Sequence, residues 1–201
     1  MRRWCLALVH HPVLDRQGAV ITTAITNLDL HDMARSSLTF GLSDMFVVHP
    51  VQAQRELANK VQEHWLHGSG RKRIPDRAPP MELLRVVSSL QEAFDALGGR
   101  EHIEVWTTSA RRVSVSSTYE QARARLWSDG KPVMLLFGTG WGLAPQVVDE
   151  ADVCIEPICA AQATGFNHLS VRAACAITLD RLAGAQACRD VACDVRFSTQ
   201  R

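Results

Sequence analysis

The sequence predicts an α/β fold, with a mostly parallel sheet and helices on both of its faces. Short apolar runs, most of them rich in β-branched and aromatic residues, recur at 4–9, 45–49, 84–87, 103–107, 133–137 and 153–155. Stretches of helical character separate most of them, and glycines close several of those stretches. Strands that alternate with helices form parallel sheets, because each return to the starting end of the sheet needs a crossover.

The run at 4–9 follows Arg2 and Arg3, so the chain begins basic and then apolar. A secretory leader needs an apolar core of roughly 7–15 residues and a small-residue cleavage site. Neither is present, and the run reads as the first strand of a cytoplasmic protein. A helix over 29–40 follows Asn27 in the cap region and stops before Gly41. A helix over 52–66 carries Leu57, Val61 and Trp65 at a spacing of four, on one face. The segment 67–80, HGSGRKRIPDRAPP, is rich in Gly, Pro and Arg and reads as a surface loop. Its Arg71, Lys72, Arg73 and Arg77 are the densest positive patch, either a solvated face or a contact for a phosphate backbone. Helices over 90–97 and 119–127 end at or near Gly98-Gly99 and Gly130, and a last helix over 171–182 closes before Gly184. One domain therefore spans 1–186, and residues 187–201 read as an irregular tail.

Net charge is +1, so polyanion binding must come from local patches. No apolar run approaches the roughly 20 residues that span a bilayer, so no membrane partner is expected. Of the six cysteines, Cys154/Cys159 and Cys188/Cys193 are each spaced C-x4-C. A four-thiolate zinc site is conceivable from that spacing. Placement of Cys154 inside an apolar strand favours buried thiols and no metal.

Function is most legible in residues 133–182. An apolar strand ends at Gly138, a glycine turn follows, a second strand ends near Glu156, and a loop leads into the closing helix. Ligands of α/β proteins bind where strand ends converge. The turn LLFGTGWGL approaches a dinucleotide fingerprint, with Gly138 and Gly140, but Leu143 stands where a small residue is needed. What remains is a turn whose backbone can approach a ligand closely, between apolar walls suited to an adenosine-like cofactor. A tight strand-to-helix turn without a ligand fits the same residues.

The segments LLFGTGWGL, CIEPI and FNHLSVRAACAITLDRL resemble the SPOUT superfamily of S-adenosylmethionine-dependent RNA methyltransferases, in a small bacterial branch. LALVHHPV, ITTAITNLDLHDMARSSLTFG, VVHPVQAQRELANKVQEHW and TTSARR agree, so the resemblance runs in order over about residues 4–184. It implies a C-terminal deep trefoil knot, a homodimer joined through the closing helix, S-adenosyl-L-methionine bound in the knot, and an RNA substrate, tRNA or rRNA. The implied cofactor site comprises Thr108 and Ser109; Gly138, Thr139, Gly140 and Gly142; Ile155, Glu156 and Ile158; and Asn167, His168, Leu169 and Ser170. Arg35 matches an arginine of the ribose-methylating relatives and is the implied catalytic residue together with Asp29. The proton acceptor is open among Asp29, His31, Asp32 and His168, and the target is open between base and ribose. A non-catalytic RNA-binding dimer and a nucleotide-dependent oxidoreductase are the rival readings.

Overall fold

The computed structural model describes residues 1–111, 116–161 and 166–184. The 187–201 tail, Arg112, Cys188 and Cys193 lie outside them.

The chain opens with β1 (Trp4–Val9) and a small antiparallel hairpin of β2 (Val13–Leu14) and β3 (Val20–Ile21). Helix α1 (Asn27–Thr39) follows. Its cap is Thr26, not Asn27: the Thr26 hydroxyl accepts the Asp29 N–H at 3.2 Å. After β4 (Met45–Val48) comes α2 (Gln52–Leu66). Its bounds match the sequence reading, but its buried stripe does not. Ala58 and Trp65 are buried and Val61 is half-buried, a 3-then-4 spacing, whereas Leu57 is 44% exposed. A strict spacing of four drifts around the helix axis and leaves the core face.

Residues 67–80 are not an open loop. They contribute α3 (Ser69–Arg73), a 3-10 turn (Pro75–Arg77) and the start of α4 (Ala78–Glu82). Prolines in first turns seed the last two, since a missing N–H costs nothing there. Gly70 is buried; a Cβ on it would meet Trp65 and His64 at 2.8 Å. The Arg77 guanidinium lies 4.8 Å over the Trp65 ring.

The remainder runs β5 (Leu84–Val87), α5 (Leu90–Asp95), β6 (Glu104–Thr107), α6 (Tyr119–Trp127), β7 (Val133–Gly138), α7 (Pro145–Asp149), β8 (Val153–Cys154) and α8 (Val171–Leu179). A π-type turn over Asp180–Gly184 extends α8, where the sequence predicted one helix to 182.

Six strands form one sheet in the order β5-β4-β1-β7-β6-β8, and every pair is parallel. Side chains alternate between its faces. Leu6, Leu8, Met45, Val47, Trp106, Leu135 and Phe137 meet α1, α2, α4, α6 and α8 on one face. Cys5, Ala7, Val9, Phe46, Val48, Val105 and Leu136 meet α5, α7 and the hairpin on the other. Both faces being covered, β1 is buried at every residue, which is why it reads as a continuous apolar run. Glu104 ties the lower edge together, accepting from Arg2 at 2.8 Å, Arg125 at 2.9 Å and Trp106 Nε1 at 3.0 Å. Burial alone would raise its carboxyl, but those donors outweigh burial and hold it down to about 2.

Candidate active site

A cavity of about 720 Å³ opens at the carboxyl ends of the central strands. That volume suits a ligand of cofactor size.

The glycine turn after β7 forms one wall. A Cβ on Gly138 would lie 2.6 Å from the Leu143 nitrogen, so the chain doubles back too tightly for a side chain. Gly140 has φ +60°, and a Cβ there would meet the Leu14 carbonyl oxygen at 2.8 Å. The hairpin is the cause: the Trp141 N–H donates to Leu14 O and the Leu14 N–H donates to Gly142 O, both at 2.9 Å. Gly142, at φ +105°, is different, since no atom of the described residues lies within 4 Å of a Cβ built on it. Of these glycines, only Gly142 has its Cβ position open toward space a ligand can take.

A hydrogen-bonded chain supports this wall. The Thr139 hydroxyl donates to Val9 O at 3.1 Å, so its oxygen accepts from the Thr23 hydroxyl at 2.5 Å. The Thr23 oxygen then accepts from His10 Nδ1–H at 3.0 Å. His49 accepts the Val51 N–H on Nδ1 at 3.1 Å and donates from Nε2 to Thr23 O at 2.9 Å. His10 is fully buried. Burial, then the neighbouring His49, pushes its imidazole down to about 4, against a smaller opposing pull from Asp29. Its Nε2 lone pair has no hydrogen-bond partner among the described residues. The sequence reading gave His10, Thr23 and His49 no role. The available signal was position, since His10 and His49 directly follow β1 and β4 at their carboxyl ends.

Thr108, Ser109 and Arg111 form a second wall. The Thr108 hydroxyl donates to Leu136 O at 3.0 Å, and the Ser109 hydroxyl accepts the Arg111 N–H at 3.0 Å. Glu156 and Ile158 form a third. Glu156 Oε1 accepts the Tyr119 N–H at 2.9 Å, which sets a carboxylate at the positive end of α6. Its Oε2 accepts no bond from the described residues. Ile155 departs from expectation. Its N–H donates to Thr107 O at 2.9 Å and its side chain is buried in the core, so it is no part of the cavity wall. Asn167, His168, Leu169 and Ser170 form the last wall, with the Ser170 hydroxyl capping α8 at Ala173 N, 3.2 Å away. The His168 ring meets Trp141 edge-on at 5.0 Å.

Asp29 lines the cavity with both oxygens engaged. Oδ1 accepts from Arg172 Nη1 at 3.0 Å and Oδ2 from the Thr26 hydroxyl at 2.7 Å, so it clamps α1 to α8. Arg35 is exposed on α1 and is not among the lining residues. It lies near His31, whose imidazole is pushed down first by burial, then by Arg77 and, more weakly, Arg35. His31 packs edge-on against Trp65 at 5.1 Å, and Asp32 pairs with Arg172 at 3.4 Å. Of the four residues considered as proton acceptors, Asp29 and His168 reach the cavity and His31 and Asp32 do not.

Among the described residues no cluster of three or more His, Cys, Asp or Glu is placed to hold a metal ion. Burial pushes the Cys5 and Cys175 thiols up to about 12, which makes them apolar packing groups.

A parallel sheet with a cofactor-sized cavity at its strand ends, walled by a glycine turn and one uncommitted carboxylate oxygen, defines an α/β domain with a cavity suited to a nucleoside-like ligand. The chain belongs to the SAM-dependent RNA methyltransferase family, whose sequence model matches residues 3–184. A tRNA (guanine-N(1)-)-methyltransferase from Oleidesulfovibrio alaskensis is 41% identical over 180 residues, covering 89% of this chain. The chain spans only 41% of that relative's length. A putative methylase family protein from Neisseria gonorrhoeae shares the fold at 17% identity and a TM-score of 0.59, over 92% of this chain and 84% of that one. So does an AdoMet-bound rRNA methyltransferase from Sinorhizobium meliloti, at 17% identity and a TM-score of 0.52, over 90% of this chain and 55% of that one.

Proposed function

We propose that this chain transfers a methyl group from S-adenosyl-L-methionine to a nucleotide of tRNA or rRNA, with the cofactor in the cavity described above. The observation that carries the reading is the pairing, in one cavity, of the open backbone at Gly142 with the uncommitted Glu156 Oε2. Membership of a SAM-dependent family supports it.

S-adenosyl-L-methionine supplies a methyl activated by the sulfonium. This chain's residues do the rest. Backbone groups of the glycine turn and of 167–170, with the apolar Ile158 and Leu169 beside them, would hold the cofactor's base. Glu156 accepts from a ribose hydroxyl or from the ammonium of the methionine arm. Thr108 and Ser109 close the opposite wall. The sulfonium would be the leaving group of the displacement, and any proton on the acceptor would have to leave. His168 lines the cavity and takes that proton, while Asp29, engaged through both oxygens, positions α1 against α8. Arg35, exposed on α1 outside the cavity, contacts RNA phosphate.

A homodimer fits the half-exposed Ala173, Ala174 and Ile177 of α8, and a C-terminal knot fits the resemblance to the SPOUT superfamily. Residues 162–165 lie outside the described residues, and no helix among those described is long and apolar enough to cross a membrane. Acting on tRNA or rRNA would put the chain in the cytoplasm.

Calorimetry with S-adenosylhomocysteine tests the site. Wild type binds, and Glu156→Gln binds about tenfold more weakly, the scale of a lost charge-assisted hydrogen bond. No binding by wild type overturns the reading. So does preferential binding of a nicotinamide dinucleotide.

A further inference from the structure

Trp141 stands on the rim of the cavity and is 42% exposed, an unusual setting for an indole inside a tight turn. Its backbone is fixed. The N–H donates to Leu14 O at 2.9 Å, and Gly140 and Gly142 on either side take positive φ. Its ring is oriented too, since His168 meets it at 5.0 Å with the planes 81° apart. Phe166, 70% exposed, lies 6.4 Å from the same His168 ring. A flat ring held in place at a cavity mouth makes a platform. Arg111 lines the same cavity, is exposed, and pairs with no carboxylate among the described residues.

We propose that Trp141, oriented by His168, is the stacking subsite for a nucleobase of the RNA substrate, with Arg111 taking a neighbouring phosphate. The inference rests on the methyl-transfer reading and adds to it the residue that delivers the nucleotide. Methyl transfer requires the acceptor atom inside the cavity, so a nucleotide must leave its stack and cross this rim. An indole face replaces the stacking the base gives up, for any base, and a guanidinium answers the phosphate that travels with it. An apolar protein partner uses the rings but not the unpaired cation beside them.

The test uses the full chain, its Trp141→Ala and Trp141→Phe variants, and total RNA from cells lacking the gene. S-adenosylhomocysteine affinity is read by calorimetry, RNA affinity by filter binding with that ligand saturating, and methyl transfer with labelled S-adenosylmethionine. Stacking predicts that Trp141→Ala binds RNA and uses it roughly tenfold or more less well, with cofactor affinity within about twofold of wild type. Trp141→Phe, which keeps a flat ring, recovers most of the loss. Equal RNA affinity in all three proteins overturns the inference while leaving the methyltransferase reading intact. Equal loss of cofactor affinity in Trp141→Ala overturns it as well, by assigning the ring to the cofactor site. Light scattering that shows Trp141→Ala dissociating a wild-type dimer overturns it in favour of a subunit contact. A wild type that transfers no methyl to any RNA fails the proposed function, and the filter-binding comparison then decides the stacking claim alone.

Discussion

At position 140 a side chain would meet the Leu14 carbonyl oxygen at 2.8 Å, and at position 142 it would meet nothing among the described residues within 4 Å. The two glycines look alike in sequence and answer to different neighbours. Gly140→Val places a branched residue at φ +60° against a carbonyl that cannot retreat without breaking the hairpin. Thermal unfolding is expected to show a loss of about 2 kcal/mol or more, and cofactor affinity falls with the fold. Gly142→Ala carries only the strain of φ +105°, on the order of 1–2 kcal/mol, and directs its methyl into open space. Calorimetry of the folded Gly142→Ala protein then reads cofactor exclusion directly; unchanged S-adenosylhomocysteine affinity would show that the ligand does not reach Gly142. The need for glycine in this turn was legible in the sequence, because an apolar strand that runs straight into Gly-x-Gly must bend where side chains do not fit. Which neighbour each glycine serves was not legible, since Leu14 lies far from Gly140 along the chain.

Elements meet in this protein through short polar joints at the upper end of the sheet. His10 at the end of β1, Thr23 beyond the hairpin and Thr139 in the glycine turn form one such joint, and His49 after β4 braces it. Neutral His10 is what the joint accommodates, since its Nδ1–H is donated and its Nε2 is buried. The imidazole drops from an ordinary 6.5 to about 4 on folding, so between those values the unfolded chain binds the proton and the folded one does not. The stabilisation is present above pH 6.5 and is lost as pH falls toward 4, on the order of 3 kcal/mol in all. Denaturant unfolding of wild type and His10→Gln across pH 7 to 4.5 should show a flatter profile in the variant; parallel profiles would mean that His10 is protonated in the fold. The long elements were legible in their bounds, α2 from its apolar spacing and α6 from the stop near Gly130, although the α2 stripe was read on Leu57 where Ala58 is buried. Two-residue strands such as β2 and β3 carry no period to read. The segment 67–80 folds because Gly70 and Trp65 touch and Arg77 stacks, contacts that a Gly- and Pro-rich composition conceals.

Across the whole molecule the sheet sets the cavity at one end and leaves the outer helices as the surface on which we propose RNA contact. Arg71, Lys72 and Arg73 are exposed on α3, while Arg77, close by, is held over Trp65. The sequence presented these four as one patch; the fold turns an Arg71 donor onto Leu66 O at 3.1 Å, holds Arg77 over Trp65, and leaves Lys72 and Arg73 without a side-chain partner among the described residues. On a chain of net charge +1, RNA affinity that rests on charge must come from such a surface, and each phosphate neutralised releases counterions. Replacing Arg71, Lys72 and Arg73 with Ala should weaken binding to all RNA sequences alike. The slope of log K against log salt should flatten by roughly two to three, since each lost contact contributes about 0.9 on duplex and 0.7 on single strands. Arg77→Ala should instead lower the unfolding temperature, because it uncovers Trp65. Filter binding of total tRNA at several salt concentrations separates the outcomes. A wild-type slope in the triple variant would make α3 a solvated face and move the RNA surface to Arg111 on the cavity wall, where the stacking platform and the positive charge would then coincide.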